Sequence, residues 1–503
     1  MGSVEKQDVN RSGWKTLIIL SCLGLIVMFD ETMILPAIPD FIRDFNISYS
    51  TSSWILSSYI IAGAVMTPIA GKLSDIYGKK KILLIVMAVY TIGILSGRFA
   101  HGIEIMIAAR VAQGVGMAMF PIAFGIIREV LPEKKLAIGQ TIFSSTFSAG
   151  AVIGLVGGAA IIQNFGWQAT FLAILPAAIA LLLIIVRFVH VRQVSAPMEV
   201  GVGAGSGNHH QSDAQKIDLK GTLALAATIV SFLAGISLLE TNSASAGYQL
   251  AGLFAASGAS LAAFIAIEKR VQSPLLDLKI MTSKLFLPPV IIIMLVFMSM
   301  FMVYQTIPVM VRSPEPLGFG GDAITSARVQ LPFMVVLLIG TIMSGFLLNK
   351  VGNIRLLLLG TAISTIGFFS LFMFHSTEDI VSVGLGIIAA GLSLSITGAF
   401  NVILLSVPMQ VTGIALGMAM LLNLVGMSVG PSFAGMFQQM DQGTVPGVPG
   451  TFPTENAYNL IFITAALVSV ASVVMALLVT RRKIAPAIMT GDQREAGKDG
   501  PMH

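Results

Sequence analysis

The sequence predicts an all-α integral membrane protein with fourteen transmembrane helices: two pseudo-symmetric six-helix bundles and an inserted two-helix hairpin. Three observations lead there. Of 503 residues, 55% are hydrophobic and 11% charged; an average soluble domain has roughly 25% charged residues, so this chain has too little polar surface for water. Apolar runs of about 20 residues recur along the chain, the length that crosses a 30 Å hydrocarbon core. A short loop motif also occurs twice, beginning at Gly71 and at Gly345, each time between two apolar runs.

The first predicted span, 16–36, follows Lys6, Arg11 and Lys15. It is too long for a signal-peptide core and has no small-residue cleavage site after it. Spans 53–72 and 82–100 flank the first motif loop, and spans 103–127 and 138–162 flank the charged stretch from Arg128 to Lys135. Span 168–190 closes the first bundle, residues 1–190. The chain then turns polar and Gly/Ser-rich as far as Lys216, the composition of a flexible linker. Spans 219–239 and 248–267 form the hairpin and complete a region at 191–284. Spans 285–311, 322–348, 356–375, 380–405, 413–437 and 458–480 build the second bundle, 285–483, with a polar tail at 484–503. Runs such as Ile82 to Ile94 lack the alternating polarity of a β-barrel strand.

Lys/Arg bias sets orientation. With the N-terminus inside, 25 of the 30 Lys and Arg fall on the cytoplasmic side, only Arg43, Arg98 and Arg312 fall outside, and Arg110 and Arg328 lie within spans. The expectation is a multi-pass cell-membrane protein with both termini cytoplasmic, and the net charge of +5 is read by the bilayer rather than by nucleic acid. The lone Cys22 excludes a disulfide framework, and His209-His210 sits in the linker without further ligands at metal-site spacing. There is no G-x-x-x-x-G-K-[ST] loop and no H-E-x-x-H motif, so neither cofactor nor enzymatic activity is expected. No ring of charges or pore loop suggests a channel.

One stretch stands out. Asp30 and Glu31 lie inside the first apolar run, where an ionised acid costs at least about 2.5–3.5 kcal/mol on insertion scales. Such acids face a cavity, pair with a cation or carry protons. Asp30 lies thirteen residues past Leu17 on a helix entering from inside, and Arg110 lies seven past Ile103 on one entering from outside. Both are then about 10 Å below the outer boundary. A carboxylate and a guanidinium in low dielectric stabilise each other's charge, while desolvation favours the neutral acid, so such a pair can tie a proton to a conformational change. Asp30 is the main proton or cation candidate; Glu31, about 100° further round the helix, is auxiliary. The competing reading has Pro36 and Pro39 loosen the helix end and open an outer vestibule around both acids.

The repeated loops read Gly71-Lys-Leu-Ser-Asp75-Ile-Tyr-Gly78-Lys79-Lys-Lys81 and Gly345-Phe-Leu-Leu-Asn349-Lys-Val-Gly352-Asn-Ile-Arg355. Glycine suits a short turn, Asp75 can accept from amides at a helix start, and Lys79 to Lys81 anchor the inner surface. Weak internal symmetry of this kind marks transporters built from repeated halves, with the substrate near the midplane.

Gly71 to Lys81 resembles the signature loop of the major facilitator superfamily, with Ile76 where an arginine is usual. Arg110-Val-Ala-Gln113-Gly114-Val-Gly116 looks like its fourth-helix motif. Asp30, Thr32, Ala37 and Pro39 match the first-helix motif of its fourteen-span drug:proton antiporter branch, with Leu35 and Pro36 as departures. The antiporter motif of the fifth span is incomplete: Ile153-Gly154 replaces a Gly-Pro pair, while Gly157-Gly158 is kept. Glycines at 150, 154, 157 and 158 equally make a small face for close helix packing. The resemblance implies alternating access driven by protons, with Asp30, Glu31 and Arg110 in coupling and Gly71, Asp75, Gly78, Lys79, Gln113, Gly114, Gly116, Gly154, Gly157 and Gly158 in conformational motifs.

Tyr304, Gln305, Arg328, Asn401 and Asn423 can line a substrate cavity or bond a neighbouring helix. Met294, Met298 and Met302 form a stripe suited to packing or to an adaptable binding surface. The expected function is proton-coupled export of amphipathic or cationic small molecules by a monomer in the bilayer. Proton-coupled uptake of a metabolite, or a sensor or scaffold on the same fold, are the alternatives.

Overall fold

The computed structural model describes residues 2–189, 219–238, 246–271, 283, 285–407 and 412–481. The linker with His209-His210 and the tail at 484–503 lie outside the described residues.

The helices are α1 (Gly2–Met33), α2 (Ile38–Phe45), α3 (Tyr49–Tyr77), α4 (Lys79–Arg98), α5 (Ile103–Gly114), α6 (Met119–Val130), α7 (Glu133–Phe165) and α8 (Gln168–Phe188). They continue with α9 (Leu219–Leu238), α10 (Ala246–Glu268), α11 (Leu287–Arg312), α12 (Ala323–Val351), α13 (Asn353–Met373), α14 (Glu378–Leu405), α15 (Thr412–Met440) and α16 (Glu455–Arg481). Among the described residues, thirteen spans are long and apolar enough to cross a membrane, and Lys220–Ile236 is a shorter apolar helix at the position of the seventh predicted span. Several helices outrun their predicted spans: α7 starts at Glu133 rather than 138, because charged residues ahead of the apolar run can already be helical. Hydropathy also misses a small hairpin, β1 (Gln442–Gly443) paired antiparallel with β2 (Phe452–Pro453).

Two spans are interrupted. After α1 the chain turns through a 3-10 segment, Leu35–Ala37, where Pro36 supplies no amide and Pro39 opens the first turn of α2. The fourth span is α5, a 3-10 stretch at Val115–Ala118, and α6. Prolines 176, 308, 332 and 431 sit inside α8, α11, α12 and α15.

The chain divides into two units. Unit 1 holds the described residues of Met1–Ile34, Ser58–Leu238 and Asn242–Leu276; unit 2 holds Leu35–Ser57 and those of Asp277–His503. In unit 1, α1 packs along α7, α4 on α5 and α8, and α1 on α8; α9 and α10 pair with each other. In unit 2, α11 packs along α15, α13 on α14 and α16, and α11 on α16. The pairing scheme is the same in both: first span with fifth, third with fourth and sixth, first with sixth. The loop repeat read from sequence thus extends to helix partners.

Glycine spacing explains part of this agreement. A Cβ on Gly150 would stand 2.4 Å from the Leu25 carbonyl oxygen, and one on Gly154 would stand 2.5 Å from that of Phe29. In unit 2, a Cβ on Gly426 would lie 2.3 Å from the Met294 carbonyl oxygen, and one on Gly430 2.4 Å from that of Met298. Each half therefore seats its first span on a pair of fifth-span glycines four residues apart, one turn of helix face. The methionine stripe of α11 is thereby a packing surface. The second glycine of each loop motif also repeats its backbone, Gly78 at φ 95° and Gly352 at φ 87°, both just before a helix. Side chains rarely adopt this conformation, which accounts for glycine there. Gly71 and Gly345 have open space where a Cβ would be, so contact does not require glycine at either position.

Candidate coupling site

Asp30 comes from α1, Arg110 and Gln113 from α5, Tyr59 from α3 and Tyr90 from α4, all in unit 1. Asp30 and Arg110 are 0% exposed, and Arg110 Nη1 stands 3.8 Å from Asp30 Oδ2. At this distance the contact is an ion pair rather than a hydrogen bond, and the Tyr90 hydroxyl also faces the Asp30 carboxylate. Arg110 is held instead from its own helix, Nη1 donating to Gln113 Oε1 at 2.7 Å. Gln113 Nε2 donates to the Gly93 carbonyl at 3.0 Å, tying α5 to α4. The guanidinium also stacks on Tyr59, 4.3 Å from the ring centroid, an attraction strengthened by desolvation. The Tyr59 and Tyr90 hydroxyls reach the Val27 and Ile26 carbonyls, one turn before Asp30.

The predicted pairing of Asp30 with Arg110 is therefore present, and full burial of Asp30 rules out the outer-vestibule reading for that acid. Glu31 is half-buried and forms no close ion pair or hydrogen bond with any described residue, but the charges of Arg110 and Asp30 act on it. Tyr59 and Tyr90 were not among the sequence candidates. Tyrosines are scarce here, seven in the chain, and two in neighbouring apolar spans were a usable signal.

The motif glycines position this site. A Cβ on Gly114 would stand 2.1 Å from the Tyr59 carbonyl oxygen, and one on Gly116 2.7 Å from the Tyr90 ring. Their absent side chains let α3 and α4 close around Arg110. On α7, a Cβ on Gly154 would stand 2.3 Å from Thr32 Oγ1, and one on Gly158 2.6 Å from the Met33 Cα. Thr32 Oγ1 donates to the Ala151 carbonyl at 2.9 Å. With α1 this close, the position held by Gly154 has no room for the proline of the antiporter motif. Gly157 differs, its nearest neighbour being the Phe29 ring at an ordinary 3.5 Å.

Lys79 pairs with Glu129 on α6, its stem passing over Gly125, and Lys80 donates to the Val186 carbonyl at 2.8 Å. Lys79 is thus engaged within unit 1 rather than serving only as a surface anchor. The Asp75 side chain lies outside the described residues.

The remaining candidates belong to unit 2 and are not all brought together. Tyr304 is buried on α11 against Phe301 and Phe333. Gln305 is buried beside it, and its side-chain amide bonds to no described residue. Asn423 is buried on α15 with its side-chain oxygen unpartnered among described residues. Asn401 is spent on its own helix, donating to the Thr397 carbonyl at 2.9 Å. Arg328 is corrected as a cavity residue: its side chain is 70% exposed and pairs with Glu378 at the start of α14. Which way a side chain turns about the helix axis is not encoded in hydropathy. Sequence reasoning missed Gln438, buried on α15, which donates to Thr306 at 3.4 Å and leaves its oxygen unpartnered.

Comparison with known proteins agrees with this fold. The Major Facilitator Superfamily model matches residues 20–431. Multidrug resistance protein 3 of Bacillus subtilis (strain 168) is 26% identical over 386 residues, 76% of this chain and 70% of that protein. Multidrug resistance protein Stp of Mycobacterium tuberculosis (strain CDC 1551 / Oshkosh) is 26% identical over 84% of this chain and 75% of its own length. The tetracenomycin C resistance and export protein of Streptomyces glaucescens is 24% identical over 86% of this chain and 77% of its own. Among solved structures, the nucleoside transporter NupG superposes with TM-score 0.62 at 12% identity, covering 92% of this chain and 98% of that one. The inward-open xylose transporter XylE from E. coli gives 0.57 at 14% identity, covering 91% and 95%.

Proposed function

The chain belongs to the major facilitator superfamily of membrane transporters, and we propose that it exports amphipathic or cationic small molecules in exchange for protons. The buried Asp30–Arg110 pair carries this reading. Asp30 is the proton site: ionised, it is stabilised at 3.8 Å by Arg110 and by the nearby Tyr90 hydroxyl; protonated, it releases the attraction to Arg110. Arg110 does not lose its place when this happens, because Gln113 and Tyr59 still hold it. The free energy of protonation is thereby directed to α1, which carries Asp30, rather than to α5. The glycine contacts of α1 with α7 give that helix a close-fitting surface against which to shift.

Export rather than uptake is supported by relatives named for multidrug resistance and for export. The Gln305 side-chain amide and the Asn423 and Gln438 side-chain oxygens, unpartnered among the described residues, can bond polar parts of a substrate, and leaving such groups unpaired in a dry interior costs roughly 1–3 kcal/mol each. Both termini face the cytoplasm in this reading, from the Lys/Arg bias.

The test is purified protein in liposomes loaded with a pH dye and challenged with lipophilic cations, sugars and organic acids. Antiport predicts proton movement opposite to a cation. Co-movement of proton and substrate supports uptake instead, and no proton movement with any compound refutes both.

A further inference from the structure

We propose that unit 1 carries a binding groove for one acyl chain of an anionic phospholipid, between α3 and α4 on the side of the membrane that the first motif loop faces. The groove, about 330 Å³, is lined by Met66, Leu73 and Tyr77 of α3, by Lys81 and Val89 of α4, and by Val115 at its inner end, with other apolar residues between. Its length fits the occupant. From Tyr77 to Met66 it follows α3 for about 16 Å, and from Lys81 to Val89 it follows α4 for about 12 Å. Half of a 30 Å hydrocarbon core is about 15 Å, the depth reached by one acyl chain.

Charge identifies the headgroup. Among the described residues, Lys81 is the one charged side chain lining the groove; it stands exposed and forms no ion pair or hydrogen bond with any described residue. Its neighbours are committed elsewhere, Lys79 to Glu129 and Lys80 to the Val186 carbonyl. An ammonium at the edge of an apolar groove favours a lipid phosphate. It also repels a lipophilic cation, so the groove is unsuited to the proposed substrates and suited to a lipid. Tyr77, exposed beside it, is the kind of side chain enriched at headgroup level. At the inner end the tail would rest on Val115, first residue of the 3-10 break that follows Gly114. Lipid occupancy would thus bear on the same stretch of chain that positions Arg110.

The test needs no transport assay. Val89→Trp places a reporter in the groove, and the protein is reconstituted in phosphatidylcholine vesicles with increasing dibrominated phosphatidylglycerol, the wild-type tryptophan signal being subtracted. Quenching is expected at a lower mole fraction of brominated phosphatidylglycerol than of brominated phosphatidylcholine. Lys81→Gln should shift the midpoint upward roughly fivefold, the effect of removing about one headgroup charge contact. Lys81→Arg should leave it in place, which separates lost charge from a damaged fold. Equal quenching by the two lipids, or a midpoint unmoved by Lys81→Gln, would overturn the proposal. So would loss of quenching through self-association of the protein, which would assign the groove to a second copy.

Discussion

Arg312, the last residue of α11, grips both oxygens of Asp40 at 2.6 and 2.8 Å and also donates to the Pro36 carbonyl at 2.7 Å. All three residues belong to unit 2, so the segment that follows α1 is fastened there by its charges. Tyr49 adds to the fastening: its amide donates to Gln439 and its hydroxyl to the Thr451 carbonyl, both at 3.1 Å. Removing one member of a nearly buried ion pair strands the other, at about 3–5 kcal/mol. Asp40→Asn should therefore lower the thermal unfolding midpoint in detergent markedly. The double variant Asp40→Asn/Arg312→Gln should lose less than the sum of the two single changes. Strict additivity would mean that the pair contributes no coupling.

For the proposed proton site, Asp30→Asn should abolish substrate-driven proton movement in liposomes while substrate still binds, because the amide keeps the volume but cannot ionise. Glu31→Gln should retain exchange at a reduced rate, since Glu31 feels the Arg110 charge without making a close ion pair with any described residue. Wild-type exchange rates in Asp30→Asn protein would remove Asp30 from the mechanism.

The glycines of α7 should separate into two classes. Gly154→Ala forces a methyl to within 2.3 Å of Thr32 Oγ1 and 2.5 Å of the Phe29 carbonyl oxygen, overpacking that costs about 1–3 kcal/mol. Gly157→Ala meets only the Phe29 ring at 3.5 Å and should be close to neutral. Thermal unfolding of the two variants side by side tests the seating of α1 on α7. Equal losses would mean that the glycines do not discriminate in this way.

Asp322 caps α12, accepting from the Thr325 amide at 2.7 Å, and that hydrogen bond holds its carboxyl below the ordinary value of 3.8. A group depressed on folding stabilises the fold above its unfolded value and loses that contribution as pH falls through the lower folded value. The cap should therefore weaken only below about pH 4. Asp322→Ala should cost about 0.5–2 kcal/mol at neutral pH. The deficit relative to wild type should shrink in acid, read from unfolding midpoints across a pH series.

By itself, the sequence determined everything that depends on position along a helix axis. Run length and composition gave spans, because crossing hydrocarbon demands a fixed number of apolar residues. Counting residues from span ends put Asp30 and Arg110 at one depth, because rise per residue is constant. The Gly78 and Gly352 repeat was legible because a positive φ nearly requires glycine. Tertiary structure decided everything that depends on rotation about an axis or on which helices are neighbours. Asp30 meets Arg110 among Tyr59 and Tyr90, while Arg328 turns outward to Glu378. Asp40 and Arg312 find each other across 272 residues. Azimuth is set by side-chain packing between helices, as where Gly150, Gly154 and Gly158 receive α1, and a hydropathy profile averages that information away.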